Sequence, residues 1–127
     1  MAGYAVNSSG NFYWSSEESQ KPEMWFQIEL PAPNEISEIE LLSASSGPVA
    51  GFPRKFRLQI SDDGRKWSAP ITEGAGSGRT TVISFKPVRT KFLRITQTGA
   101  EENTPAWSIQ KVRLYQPTGL KVTASAK

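Results

Sequence analysis

Residues 52–67 read F-P-R-K-F-R-L-Q-I-S-D-D-G-R-K-W, and this stretch decides the fold class. Phe56, Leu58 and Ile60 alternate with Arg57, Gln59 and Ser61. A period of two puts the first set on one face of a pleated strand and the second on the other. Asp62-Asp63-Gly64 then marks a tight turn before the next apolar stretch.

The same period runs outward in both directions. Phe26, Ile28 and Leu30 share a face of W-F-Q-I-E-L, residues 25–30. Leu93 and Ile95 share one in 91–98, and Val112 and Leu114 share one in 108–115. Residues 36–43 and 80–85 also read as strands; the spacing of Ile36, Ile39 and Leu42 offers weak helical competition, which Pro31 and Pro33 just before it oppose. Pro22, Pro53, Pro70, Pro87, Pro105 and Pro117 are expected between strands, where a missing N–H does no harm. Residues 74–78 read as a loop. Strands at this short spacing predict a single all-β domain, an antiparallel β-sandwich over 1–127.

Composition narrows the function. The 127 residues contain no cysteine and no histidine, and the only aspartates are Asp62 and Asp63. This excludes disulfides, thiolate metal sites, a cysteine nucleophile and a Ser-His-Asp triad. The carboxylate pairs Glu17/Glu18 and Glu101/Glu102 lie in polar segments, with no apolar surround to raise a pKa for glycosidase chemistry. Residues 74–78, G-A-G-S-G, lack the lysine and helix of a phosphate loop. No catalytic residue is assigned, and the expectation is a non-enzymatic binding domain. Net charge is +3, and Lys86, Arg89, Lys91 and Arg94 are interrupted by Pro87 and Val88, so no nucleic-acid partner is expected. No apolar run reaches the ~18 residues of a transmembrane segment. Residues 1–10 carry no signal-peptide pattern.

Read in order, W-F-Q-I-E-L (25–30), the 52–67 stretch, F-K-P-V-R-T-K-F-L-R-I-T-Q-T-G (85–99) and A-W-S-I-Q-K-V-R-L-Y (106–115) resemble a known family. They are similar to the coagulation factor V/VIII C-type, or discoidin, domain, a group that includes the family 32 carbohydrate-binding modules. The resemblance covers residues 14–115. It implies a discoidin-type jelly roll that binds ligands in loops at one end, most often glycans. It also implies an extracellular or periplasmic setting, and it resembles domains appended to bacterial multidomain proteins. Other members adhere to protein or membrane surfaces, and a structural or engineered scaffold with no active ligand site is a third reading. Histidine, common in galactose-binding members, is absent here.

Two departures from the family matter. The usual opening strand, roughly V-T-A-S, is missing at the N-terminus, yet residues 119–125 read G-L-K-V-T-A-S after Tyr115. The expectation is that 119–125 supply the first strand of a circular permutant; the rival is a boundary cut through a tandem array. The family calcium site is expected to be lost, because Ser9 and Lys111 stand where acidic ligands would be. Lys111 then either fills the cation's place or points into solvent. No cofactor is expected.

For a glycan, an aromatic platform plus polar groups is needed. The candidate ligand contacts are Trp107, Phe52, Phe12, Tyr13, Arg79, Asn103 and Glu102. Trp107 is read either as platform or as core edge. Trp14, Trp25 and Trp67 are read as structural aromatics. Glu17, Glu18, Gln20, Lys21 and Glu101 complete the polar candidates for hydroxyl recognition, and Arg54 and Arg94 are read as structural.

Overall fold

The computed structural model describes residues 5–6, 14–43, 51–78, 80–101, 104–117 and 121–122. Among them the regular structure is all strand. In chain order the strands are β1 (Ala5–Val6), β2 (Trp14–Ser19), β3 (Met24–Leu42), β4 (Phe56–Ser61), β5 (Thr72–Gly74), β6 (Thr80–Gln97), β7 (Ala106–Ile109), β8 (Lys111–Tyr115) and β9 (Lys121–Val122).

The expected strand pairs 25–30/36–43 and 80–85/91–98 are each one continuous strand. β3 and β6 form a long antiparallel ribbon that pairs Met24 with Gln97 at one extreme and Leu42 with Thr80 at the other. Its register shifts between Glu29 and Asn34 and again between Ile36 and Glu38. Pro31 and Pro33 fall in β3 and Pro87 in β6, close to these shifts, so Pro87 does not lie between strands as expected. A proline removes one ladder donor, which bends a ribbon where the pairing is already irregular and need not end it.

The bend lets each half of the ribbon build its own layer. The half with Met24–Glu29 and Phe92–Gln97 continues through β4, paired from Phe56↔Gln97 to Ser61↔Phe92, and on to β5. The half with Glu38–Leu42 continues through β8 to β9. β2 and β7 form a separate antiparallel pair. Among the described residues, the one departure from antiparallel pairing is β1, which runs parallel to β3 through Ala5↔Gln27 and Val6↔Ile28.

Both layers bury their inward faces in one core. Phe26, Ile28, Leu30, Phe56, Leu58, Leu93 and Ile95 come from the first layer, and Ile36, Ile39, Leu41, Ile83 and Leu114 from the second. Each such side chain contributes roughly 1.5–3 kcal/mol by leaving water. Ile60 and Val112 are only partly buried against that core.

At the Asp62-Asp63-Gly64 turn, Ser61 Oγ accepts the N–H of Gly64 at 2.8 Å and that of Asp63 at 3.2 Å. Gly64 takes a φ of 78°, in the left-handed region that favours glycine. Loops at the two extremes of the ribbon are joined by hydrogen bonds and form the open end of the sandwich. Here Gly76 N donates to Pro53 O, Thr98 N to Lys55 O, Ser108 N to Gly51 O and Gln110 N to Leu42 O. This open end is where segments around 20–23, 51–55, 75–78, 98–101 and 104–105 gather.

Residues 121 and 122 pair with Tyr115 and Leu114, so β9 lies antiparallel on β8. The rest of the proposed 119–125 strand, apart from these two residues, lies outside the described residues, as does Ser9.

Candidate functional site

The open end is organised from strand termini outward. Lys55 directly precedes β4, Gly74 ends β5, and Thr98 directly follows β6. β4 lies between β5 and β6 in the sheet, which draws these residues together. They line a groove of about 410 Å³ with Phe56, Glu73 and Ala75. Phe56 is core, and its ring supports Gly74: a Cβ there would stand 3.0 Å from the ring. The floor is therefore apolar and backbone, while the rim carries an ammonium, a carboxylate and a hydroxyl. Lys55 and Glu73 are both exposed, and neither is ion-paired with another described residue.

Beside the groove, the Arg54 guanidinium stacks 3.8 Å from the Phe52 ring centroid and donates from Nη1 to Phe52 O at 3.1 Å. Phe52 is half-buried, so of the two expected contacts among the described residues, Phe52 and Trp107, it is the one at the open end. Arg54 covers a face of its ring, however, and leaves less of it for a sugar to stack upon.

Trp107 is a correction. Its side chain is 0% exposed, and its ring lies 6.5 Å from that of Phe26 at 60°. A platform must present a face to solvent, and this one is sealed in the core. Its backbone N–H donates to Ser16 Oγ. Gln20 is a second correction: it is buried, and its amide is engaged by backbone groups of the protein, so it is not offered to ligand hydroxyls. Lys21 pairs with Glu18 at 2.8 Å, and this contact lowers the Glu18 pKa below its ordinary value. Glu101 is exposed. Phe12, Tyr13, Arg79, Glu102 and Asn103 lie outside the described residues.

The other tryptophans with described side chains serve the outer face of the first layer. The Arg94 guanidinium is held 4.2 Å from the ring of Trp25 and 4.3 Å from that of Trp67. Its Nη2 donates to Gln27 Oε1 at 3.2 Å, while Nε is buried with no hydrogen-bond partner among the described residues. Burial draws its pKa below the ordinary guanidinium value. The expectation of a structural Arg94 fits this sandwich, where two rings and the hydrogen bond to Gln27 hold the guanidinium.

Lys55, Glu73 and Thr98 are not among the glycan contacts expected from the sequence. Lys55 and Glu73 are ordinary strand-end charges until β5 is known to pair beside β4. Lys111, in β8, sits opposite Leu42 and is half-buried.

Comparison with known proteins agrees with this architecture. The family model described as F5/8 type C domain matches residues 2–112. No curated protein matches the sequence. Among solved structures, CBM32-3 from a family 31 glycoside hydrolase of Clostridium perfringens is similar with a TM-score of 0.65 at 18% identity, over 84% of this chain and 76% of that one. The family 32 carbohydrate-binding module from Streptococcus pneumoniae EndoD gives 0.62 at 20%, over 82% and 75%. Chitosan-binding module 2, in complex with chitotriose, from a Paenibacillus sp. IK-5 chitosanase/glucanase gives 0.63 at 21%, over 81% and 76%.

Proposed function

This chain belongs to the F5/8 type C domain family, and from that premise we propose that it is a carbohydrate-binding module whose ligand sits in the open-end groove. The observation that carries the proposal is the groove itself, where Lys55, Glu73 and Thr98 converge over an apolar floor. A sugar hydroxyl both donates and accepts, so it can bond the Lys55 ammonium, the Glu73 carboxylate and the Thr98 hydroxyl. The charged partners make the stronger of these bonds. Three of the solved neighbours support a glycan ligand, because they are named as modules that bind carbohydrate. Such a module does no chemistry; it holds a larger protein beside a polysaccharide, in an extracellular or periplasmic setting.

The test is a glycan array on the purified domain, followed by calorimetry on its best ligand, with Lys55→Ala and Glu73→Gln alongside. Chitotriose is the first probe. Each substitution should weaken binding by about tenfold, the worth of one charge-assisted hydrogen bond. Undiminished binding by both variants would move the site away from this groove. An array with no bound glycan would overturn the carbohydrate reading.

A further inference from the structure

Two glutamines lie inside the open end, and neither is spent on the core. Gln20 is 4% exposed and Gln97 is 0% exposed. A buried primary amide is costly unless its two donors and its carbonyl are satisfied. Here the partners are backbone atoms of the loops. Gln20 Nε2 donates to Phe52 O at 2.7 Å and to Pro105 O at 3.2 Å, and its Oε1 accepts the N–H of Arg54 at 3.0 Å. Its own N–H donates to Thr104 Oγ1 at 2.8 Å. Gln97 Nε2 donates to Lys21 O at 2.8 Å and Gly99 O at 3.0 Å, while its Oε1 accepts the N–H of Gly99 at 2.7 Å. The N–H of Lys55 stands at 3.5 Å from the same oxygen, the longest of these contacts.

Resting on the carbohydrate-binding reading, we infer that Gln20 and Gln97 are positioning residues that fix the Arg54–Lys55 segment at the groove before a ligand arrives. Gln20 grips the segment at Phe52 and Arg54, and Thr98 N and Gln97 close on Lys55 from the other side. The two amides also tie this segment to residues 21, 99 and 105, so three loops are held as one body. Loops ordered in advance pay no ordering entropy on binding, which raises affinity without a new contact. Neither glutamine needs to touch the ligand.

The donor–acceptor pattern explains why these positions hold amides. An ionised carboxylate at 97 would face Lys21 O and Gly99 O, two acceptors, with no donor of its own. A protonated carboxyl would recover one of those bonds. Burial raises the pKa of a carboxyl, so the recovery would begin above the ordinary glutamate range.

The experiment measures amide hydrogen exchange of the ligand-free domain for wild type, Gln20→Ala, Gln97→Ala and Gln97→Glu, with chitotriose calorimetry beside it. The amides of Arg54, Lys55 and Gly99 should exchange at least about tenfold faster in the variants, while those of Leu58 and Ile95 stay protected. Affinity should fall about tenfold, mainly as a less favourable binding entropy. Gln97→Glu should regain part of its loop protection as pH is lowered, and Gln97→Ala should not. Unchanged loop exchange in both alanine variants would overturn the inference, as would loop and core amides loosening together. Should Gln97→Ala fail to fold, Gln20→Ala and the pH arm of Gln97→Glu decide. If wild type ignores chitotriose and every arrayed glycan, the carbohydrate reading fails while the exchange data still settle whether the loops are positioned.

Discussion

Replacing Trp107 with alanine separates a core residue from a sugar platform. The indole is sealed, tilted at 60° against Phe26, and lies in the β2–β7 pair that closes one side of the core. Truncation removes the buried ring and leaves a cavity that rigid strands fill only in part. Such losses cost about 3–5 kcal/mol. Small domains hold about 5–15 kcal/mol in total, so the variant should survive in water with a reduced margin. With a urea slope of roughly 1–3 kcal/mol per molar, the midpoint should fall by on the order of 1–5 M. Far-UV circular dichroism is the suitable probe, because the substitution itself alters tryptophan fluorescence. Trp107→Phe should recover much of the loss by refilling the space. A Trp107→Ala midpoint within roughly 0.3 M of wild type, combined with lost glycan binding, would refute the reasoning and return the ring to the ligand surface.

Arg94→Lys keeps the charge but loses the planar group stacked between Trp25 and Trp67; it should cost about 1–2 kcal/mol in urea unfolding. Asp63 is held below the ordinary aspartate pKa by the N–H groups of Lys66 and Arg65, then by the Ser61 hydroxyl. Its contribution to stability is therefore complete above the unfolded value of about 3.9 and lost as pH falls through the lowered folded value. Asp63→Asn should flatten that acid limb in pH-dependent unfolding. On the expectation drawn from the family resemblance that Lys111 replaces an acidic calcium ligand, calcium or a chelator should leave the melting temperature unchanged; a calcium-dependent rise would contradict this. Deleting residues from 119 onward should lower the melting temperature by several degrees, since β9 covers the edge of β8 at core residue Leu114.

Much of the fold was legible because alternation is a direct record of burial. Phe26, Ile28 and Leu30 face the core as their spacing requires, and Leu58 and Ile95 do the same. The prolines misled for a physical reason. A missing donor marks a break in pairing, but the chain can bend and continue, as at Pro31, Pro33 and Pro87. Trp107 was legible in part: it shares the parity of Ile109, and that alternation points inward. Gln97 carried a similar signal, sharing the inward parity of Leu93 and Ile95, although a polar residue at an inward position is easily read as a strand's end. Gln20 carried none, since Ser19, Lys21 and Pro22 around it read as loop. The groove was hidden for another reason. Lys55, Glu73 and Thr98 are far apart in sequence, and only the β5–β4–β6 order brings them together.

That order also gives the groove its chemistry. Several surface acids and bases are committed to one another: Glu23 to Arg57, Glu29 to Lys91 and Glu40 to Arg113, at 2.6 to 2.8 Å. A ligand reaching those sites would have to displace a partner of opposite charge. In the groove, Lys55 and Glu73 face the same space without pairing, so a hydroxyl displaces only water. Arg57 could have neutralised Glu73, since the two lie directly across the β4–β5 ladder. It is instead engaged by Glu23, whose φ of 77° lies in a region that costs a non-glycine residue on the order of 1–3 kcal/mol. The N–H of Glu23 is held by Gln97 O. The strained turn thus keeps Arg57 occupied and leaves the Glu73 carboxylate uncommitted at the rim. Glu23→Ala should release Arg57 toward Glu73 and weaken glycan binding without touching the ligand. A Glu23→Ala, Arg57→Ala double variant should recover that loss, and calorimetry showing no recovery would break the link between the strained turn and the groove.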